Sequence, residues 1–248
     1  MRSTHSRTLL FTGVISVVGA CASEKTAHET PQGGAHAHGD GHHGAARGHE
    51  EPGAHGHHRF DDAEEWAVRF EDPARDAWQR PEIVIAALAL SPSSKVADIG
   101  AATGYFPVRI APHVKEGIVY GVDVEERMVS YLEARATREG LANLRAVKGE
   151  ADDARIPEPV DVILLVNTYH HIEERPAYFA RLRQSLLPGG RVVVVDFKMG
   201  ELPFGPPESM RVAPDEIRTE MGQAGYVLSR DDRTSLPHQV ILIFTPRG

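Results

Sequence analysis

The stretch Val96-Ala97-Asp98-Ile99-Gly100-Ala101-Ala102-Thr103-Gly104-Tyr105 limits what this chain can fold into more than any other. A short apolar run carrying an acid passes straight into a small-residue turn of the form Asp-x-Gly-x-x-x-Gly. Glycine at position 100 permits a sharp turn, and glycine at 104 permits close approach of backbone to a ligand. Tyr105 to Val114 then reads as a helix. A strand that enters a helix through a glycine turn is the ligand-binding edge of an open α/β sheet.

With 248 residues, 41% of them hydrophobic, the chain has material for one sizeable domain and an appendage. The net charge of -8, with no cluster of lysine and arginine, argues against a nucleic-acid surface. Cys21 is the only cysteine, which excludes an intramolecular disulfide and a cysteine-based zinc site.

Residues 1–20 have the three parts of a signal peptide: Arg2 and Arg7, the apolar run Leu9 to Val18, and small Gly19-Ala20. The run falls short of the roughly 20 apolar residues of a membrane-spanning helix. Val18-Gly19-Ala20-Cys21 resembles the lipobox of bacterial lipoproteins, which implies that Cys21 is lipidated and holds the chain on a membrane, facing the periplasm or exterior. The absence of Asp beside the cysteine resembles outer-membrane sorting. An unprocessed segment would instead leave the protein cytoplasmic. Residues 21–59 are rich in Gly, Ala, Pro and His and read as a disordered linker, too poor in apolar surface to offset its ordering entropy. Its nine histidines (His28, His36, His38, His42, His43, His49, His55, His57 and His58) suit weak, ill-defined metal binding, or a merely hydrophilic tether. No defined metal site is expected.

The globular part, residues 60–248, opens with helical material. Asp61 and Asp62 can cap a helix carrying Trp66, Val68 and Phe70, and Pro81 begins another that runs to Leu90. Gly117 to Val124 reads as a second strand ending in Asp123, about 20 residues past the glycine turn, where a carboxylate can accept both hydroxyls of a ribose. Capping of the next helix is the alternative role. That helix runs to Glu139 with Val129, Leu132 and Ala136 on one face. Leu144 to Gly149 is a third strand, followed by Glu150-Ala151-Asp152-Asp153. Asp161 to Val166 is almost wholly branched aliphatic, as in a central parallel strand buried on both faces. It releases Asn167-Thr168-Tyr169-His170-His171. A helix from Arg175 to Leu187 stops at Pro188-Gly189-Gly190, and Arg191 to Val195 is a buried strand leading into Asp196-Phe197-Lys198. Another helix begins at Pro214 and stops at Gly225. Tyr226 to Ser229 and Gln239 to Phe244 have no helix between them, so they form a hairpin with one antiparallel strand.

The expected fold is therefore α/β: a Rossmann-like, seven-stranded, mostly parallel sheet with an antiparallel C-terminal hairpin strand and helices on both faces. From Trp66 to Phe244 it resembles the class I S-adenosylmethionine-dependent methyltransferases. Val96 to Gly104 matches the first motif of that family, Asp123 its ribose acid, Gly149-Glu150-Ala151 its adenine-side motif, and Leu187-Pro188-Gly189-Gly190 the turn before its fifth strand. Ala102 replaces the commoner middle glycine of the first motif, a variation that backbone angles suited to a non-glycine residue would accommodate.

The resemblance implies S-adenosylmethionine as cosubstrate, with Asp98, Gly100, Ala102 and Gly104 near the methionine moiety and Asp123 on the ribose. Glu150, Ala151 and Asp152 would border adenine, with Asn167 also at the site. It implies a small-molecule methyl acceptor, with His170 or His171 as general base. The structural alternative for the histidines is shaping the pocket or capping the next helix. Tyr105, Asp196 and Lys198 are rim candidates. Two other readings stand beside this one. An exported lipoprotein could carry a catalytically idle domain that binds ligand or metal, because export separates the domain from cytoplasmic S-adenosylmethionine. A nicotinamide-dependent dehydrogenase would want a Gly-x-Gly-x-x-Gly turn that this chain lacks.

Overall fold

The computed structural model describes residues 63–248. The expected signal peptide, the Cys21 anchor, the His-rich linker and the Asp61/Asp62 cap lie outside the described residues. Three short helices come first: α1 (Ala63–Phe70), α2 (Ala74–Gln79) and α3 (Pro81–Ala87). Pro73 separates the first two and Pro81 starts the third, where its missing N–H costs nothing. The sheet and its helices follow as β1 (Lys95–Ile99), α4 (Pro107–Ile110), β2 (Ile118–Asp123), α5 (Glu126–Arg138), β3 (Leu144–Lys148) and β4 (Val160–Val166). The chain ends with α6 (Arg175–Leu182), β5 (Leu186–Phe197), α7 (Pro214–Gln223), β6 (Tyr226–Asp232) and β7 (Gln239–Pro246).

The strands lie in the order β3-β2-β1-β4-β5-β7-β6, the first five parallel and β7 antiparallel to both β5 and β6. The sheet is Rossmann-like and seven-stranded, as the sequence implies. Strand order reverses between β1 and β4, and a ligand crevice opens at the carboxyl ends of the strands beside such a point.

Alternation along β4 shows why the run from Asp161 is so apolar. Val162 and Leu164 enter the core with Val84 and Leu88 near α3, Ile110 of α4 and Leu132 of α5. Ile163 and Leu165 enter the opposite core with Phe179 of α6 and Ile217 and Met221 of α7. Each such side chain contributes about 1.5–3 kcal/mol by leaving water. With cores on both faces, the carboxyl edge of the sheet is where the strands deliver polar side chains.

Several expected boundaries shift. The helix read from Tyr105 to Val114 is one turn, α4, followed by a 3-10 turn at Ala111–His113. Pro107 begins it and Pro112 denies it an amide donor. The helix from Arg175 ends at Leu182, because Leu186 already pairs with Val160; the Pro188-Gly189-Gly190 turn is an irregularity within β5. The buried stripe of α5 is Met128, Leu132 and Ala136, so Met128 takes the place expected for Val129. Val68 of α1 points to solvent at 80% exposure.

Candidate active site

Asp98 lies near the end of β1 at 3% exposure. Burial pushes its carboxyl up to about 8, against the pull of the Arg75 charge and with a smaller push from Asp123. Burying an acid costs stability, and such sites are kept where a ligand supplies a complementary charge.

The turn after Asp98 is shaped by packing. Gly100 adopts φ +76°, and a Cβ there would lie 2.3 Å from Thr168 Oγ1. Gly104 adopts φ +96°, and its Cβ would lie 2.4 Å from Leu132 Cδ1. Thus the visible reason for glycine at 104 is the approach of α5. Ala102, at φ +46°, occupies the left-handed region that favours glycine. The expectation of angles suited to an ordinary residue fails here, and the methyl is held at a strain of about 1 kcal/mol.

Asp123 ties this turn to β2. Its Oδ2 accepts the Ala102 amide at 2.8 Å and its Oδ1 accepts the Glu125 amide at 2.9 Å. The N-cap of α5 is Glu125, so Asp123 makes a turn before the helix rather than its cap. Each carboxylate oxygen has one further lone-pair direction for an incoming hydroxyl. Burial raises this carboxyl also, while the Glu125 and Ala102 amides lower it.

At the end of β3, Glu150 and Asp153 form a bridge, with the Glu150 amide donating to the Asp153 carbonyl at 2.7 Å. Glu150 pairs with Arg155 at 3.3 Å, and Ala151 and Asp152 are exposed. The tip is held in place by Arg181, whose guanidinium donates to the Asp152 carbonyl at 2.6 Å.

The histidine pair resolves into unequal members. His170 lies in a 3-10 turn after β4, and its Nδ1 stands 3.0 Å from Asp196 Oδ1 at the end of β5. Both side chains are buried. Asp196 also accepts the Phe197 amide at 2.8 Å, which fixes its own orientation. A carboxylate on Nδ1 selects the tautomer with its proton there and leaves Nε2 as acceptor. His171 is exposed, its ring 4.2 Å from that of His170.

Asn167, at φ +57°, accepts a hydrogen bond from Gln239 Nε2 on its Oδ1. Gln239 Oε1 accepts from Gln79 Nε2 at 2.7 Å, and Gln79 Oε1 accepts from Arg75 at 3.2 Å. Gln79 and Gln239 are fully buried. The sequence gives no sign of this chain of amides, because its members lie far apart and follow no period. The same holds for Glu71, which accepts Thr103 Oγ1 at 2.7 Å and Arg135 at 2.7 Å. Tyr105 donates to Asp76, and Arg75 and Arg109 each stand 3.8 Å from its ring centre. The helices before the sheet are thereby stitched to the glycine turn. Beside His170, Phe197 lies under Trp78 at 6.3 Å, and Trp78 meets Phe204 at 4.6 Å. Lys198 is occupied by the Leu236 and Pro237 carbonyls at 2.8 and 3.2 Å. No group of three metal-ligating side chains occurs among the described residues.

This sheet, with its antiparallel β7 between β5 and β6, departs from the all-parallel dinucleotide fold of dehydrogenases. Residues 96–190 match a family model described as Methyltransferase domain. Over 74% of its length the chain superposes on a SAM dependent methyltransferase from Aquifex aeolicus, covering 97% of that chain at a TM-score of 0.68 and 26% identity. It is 31% identical over 114 residues to phosphoethanolamine N-methyltransferase 3 of Arabidopsis thaliana, spanning 44% of this chain and 22% of that one. It is 28% identical over 121 residues to 27-O-demethylrifamycin SV methyltransferase of Amycolatopsis mediterranei, spanning 48% and 44%. The match thus spans less than half the length of either curated relative.

Proposed function

We propose that this domain transfers the methyl group of S-adenosylmethionine to a hydroxyl of an uncharged small molecule. One observation carries the reading. A glycine turn with a buried acid, Asp98, ends one strand of the sheet whose other strands deliver the His170–Asp196 pair to the same edge. The residues fit the cosubstrate: Asp98 suits an ammonium group, the free lone pairs of Asp123 suit ribose hydroxyls, and the exposed turn at Glu150, Ala151 and Asp152 suits a base edge. Bound there, S-adenosylmethionine supplies an electrophilic methyl on a sulfonium leaving group.

The protein's work is then alignment and proton removal. His170 Nε2 takes the acceptor's proton as the oxygen attacks, and Asp196 holds the ring and stabilises the charge that His170 gains. His171 flanks the ring and takes no proton. Acceptor chemistry follows from the wall beside His170, where Phe197, Trp78 and Phe204 present aromatic faces. The neighbouring cations are spent on backbone carbonyls, Lys198 on Leu236 and Pro237, and Arg211 on Pro206, Lys198 and Gly200. No cation of this group is left to hold a phosphate, which favours a flat, neutral hydroxyl compound over a phosphorylated amine. We further place the domain at a bacterial membrane through a lipidated Cys21, on the strength of the Val18-Gly19-Ala20-Cys21 sequence.

Calorimetry of the full chain with S-adenosylmethionine and S-adenosylhomocysteine tests the donor, and transfer of labelled methyl to phenolic and aminoalkyl phosphate acceptors tests the second substrate. Binding of both nucleosides with transfer to the phenols is expected. No binding at millimolar concentration would overturn the reading.

A further inference from the structure

The turn that carries His170 is short. It closes with the His171 amide on the Thr168 carbonyl at 2.9 Å and the Ile172 amide on the Tyr169 carbonyl at 3.2 Å. Bonds of this 3-10 type are poorly aligned and hold little shape by themselves. Further restraint comes from α6 and α7. The Tyr169 hydroxyl donates to Glu220 Oε2 of α7 at 2.7 Å. Arg175, the first residue of α6, grips the same carboxylate twice, Nε on Oε2 and Nη2 on Oε1, both at 2.8 Å. Its guanidinium also donates to the Ile172 carbonyl at 3.4 Å and lies 5.6 Å from the centre of the Tyr169 ring. The turn is thus held by the side chain that opens it and by the carbonyl that follows it, with His170 between.

Packing alone does not call for the hydroxyl. Tyr169 is fully buried, its ring stacked on Phe179 at 5.1 Å, and a phenylalanine would fill the same space. Removing a phenol and a carboxylate from water costs stability unless both are bonded, and the paired arginine bonds supply a fixed geometry. Burial and the bond to Glu220 hold the phenol far above its ordinary titration range, so it stays a donor to Glu220. The loop that carries Phe204 runs into α7. Arg211 braces that loop, and Val212 enters the same core as Tyr169. The His170 turn and the aromatic wall therefore share one supporting helix.

We infer that Glu220 is a positioning residue: acting through Tyr169 and locked by Arg175, it sets the direction in which His170 presents Nε2. The consequence for methyl transfer rests on the function proposed above, whereas the consequence for the His170 ring does not. Glu216, one turn earlier on α7, stands 3.8 Å from Arg175 with its side chain 56% exposed, too loose to grip the turn.

Two readouts on the full chain test this. Proton NMR follows the His170 ring, whose resonances are assigned by their loss in His170→Ala, and methyl transfer to the phenolic acceptors gives kcat and KM. Tyr169→Phe keeps the buried ring, and Glu220→Gln breaks the paired arginine bonds. Both should shift and broaden the His170 resonances and leave those of His113 in place. Both should lower kcat by about tenfold to a hundredfold, as for a misaimed group, with the donor's KM within about twofold. Glu216→Gln also removes a charge beside Arg175, yet it should match wild type in both readouts. Unchanged His170 resonances in Tyr169→Phe and Glu220→Gln would overturn the inference, as would equal changes in Glu216→Gln or a raised KM with kcat intact. If Glu220→Gln does not fold, Tyr169→Phe decides alone. A wild type that transfers no methyl would remove the base reading, and the resonances would still decide whether Glu220 holds the turn.

Discussion

His170 Nδ1 stands 3.0 Å from Asp196 Oδ1, although the two residues follow different strands of the sheet. This pairing separates two adjacent histidines that look equivalent in sequence. His170→Ala should lower kcat for an oxygen acceptor by about 10²- to 10⁴-fold with donor binding retained. Asp196→Asn should lower kcat less and leave the affinity for S-adenosylhomocysteine unchanged, whereas His171→Ala should keep kcat within a few fold. Single-turnover methyl transfer beside calorimetry separates these outcomes, and full activity in His170→Ala would discard the base.

Asp98 gives stability an uncommon pH dependence. Its carboxyl is pushed up to about 8 in the folded chain from 3.8, so between those values the folded state holds a proton that the unfolded state has released. Stability contributed by this group therefore falls as pH rises from about 4 to about 8 and is level outside that window. Asp98→Asn should remove the slope and raise apo stability near pH 8 by on the order of a few kcal/mol. The same change should abolish donor binding. Urea denaturation at pH 5 and pH 8 reads this, and an unchanged slope in the variant would count against it.

Ala102 sits at φ +46° in the turn. Ala102→Gly relieves that strain and should raise stability by about 0.5–1 kcal/mol, even after allowing for the freer unfolded chain. Its amide would still reach Asp123, so donor affinity should stay within about twofold. Chemical denaturation and calorimetry on the same preparations check both.

The sequence before the domain makes its own prediction. Expressed in a bacterium, the full chain should incorporate labelled fatty acid, and Cys21→Ser should abolish it. Label retained in that variant would refute the anchor.

The parts of the fold that were legible are those written in local pattern. The aliphatic run of β4 announced burial on both faces, and the missing helix between β6 and β7 announced the hairpin. Asp98 and Asp123 were recognisable because each ends a strand at a fixed distance from the glycine turn. Proline positions could have corrected the overlong helix after Tyr105, since Pro112 cannot donate to it. Arg75, Gln79 and Gln239 carried no such signal. Their roles depend on partners brought near by the finished sheet, up to 160 positions away. The packing reason for Gly104 was hidden likewise, because it depends on where Leu132 points.

The chain of amides from Arg75 through Gln79 and Gln239 to Asn167 also sets an order of assembly. A ribosome releases residue 79 long before residue 239. Until β7 exists, Gln79 Nε2 has water as its partner instead of Gln239 Oε1, and burying it would cost about 1–3 kcal/mol. The segment that packs on the glycine turn is made before β7, yet its buried amide bond is complete only once the second-last strand position of the sheet is filled by the last strand synthesised. A nascent chain truncated before Gln239 should therefore display an open turn in which the donor's intended contacts are still wet.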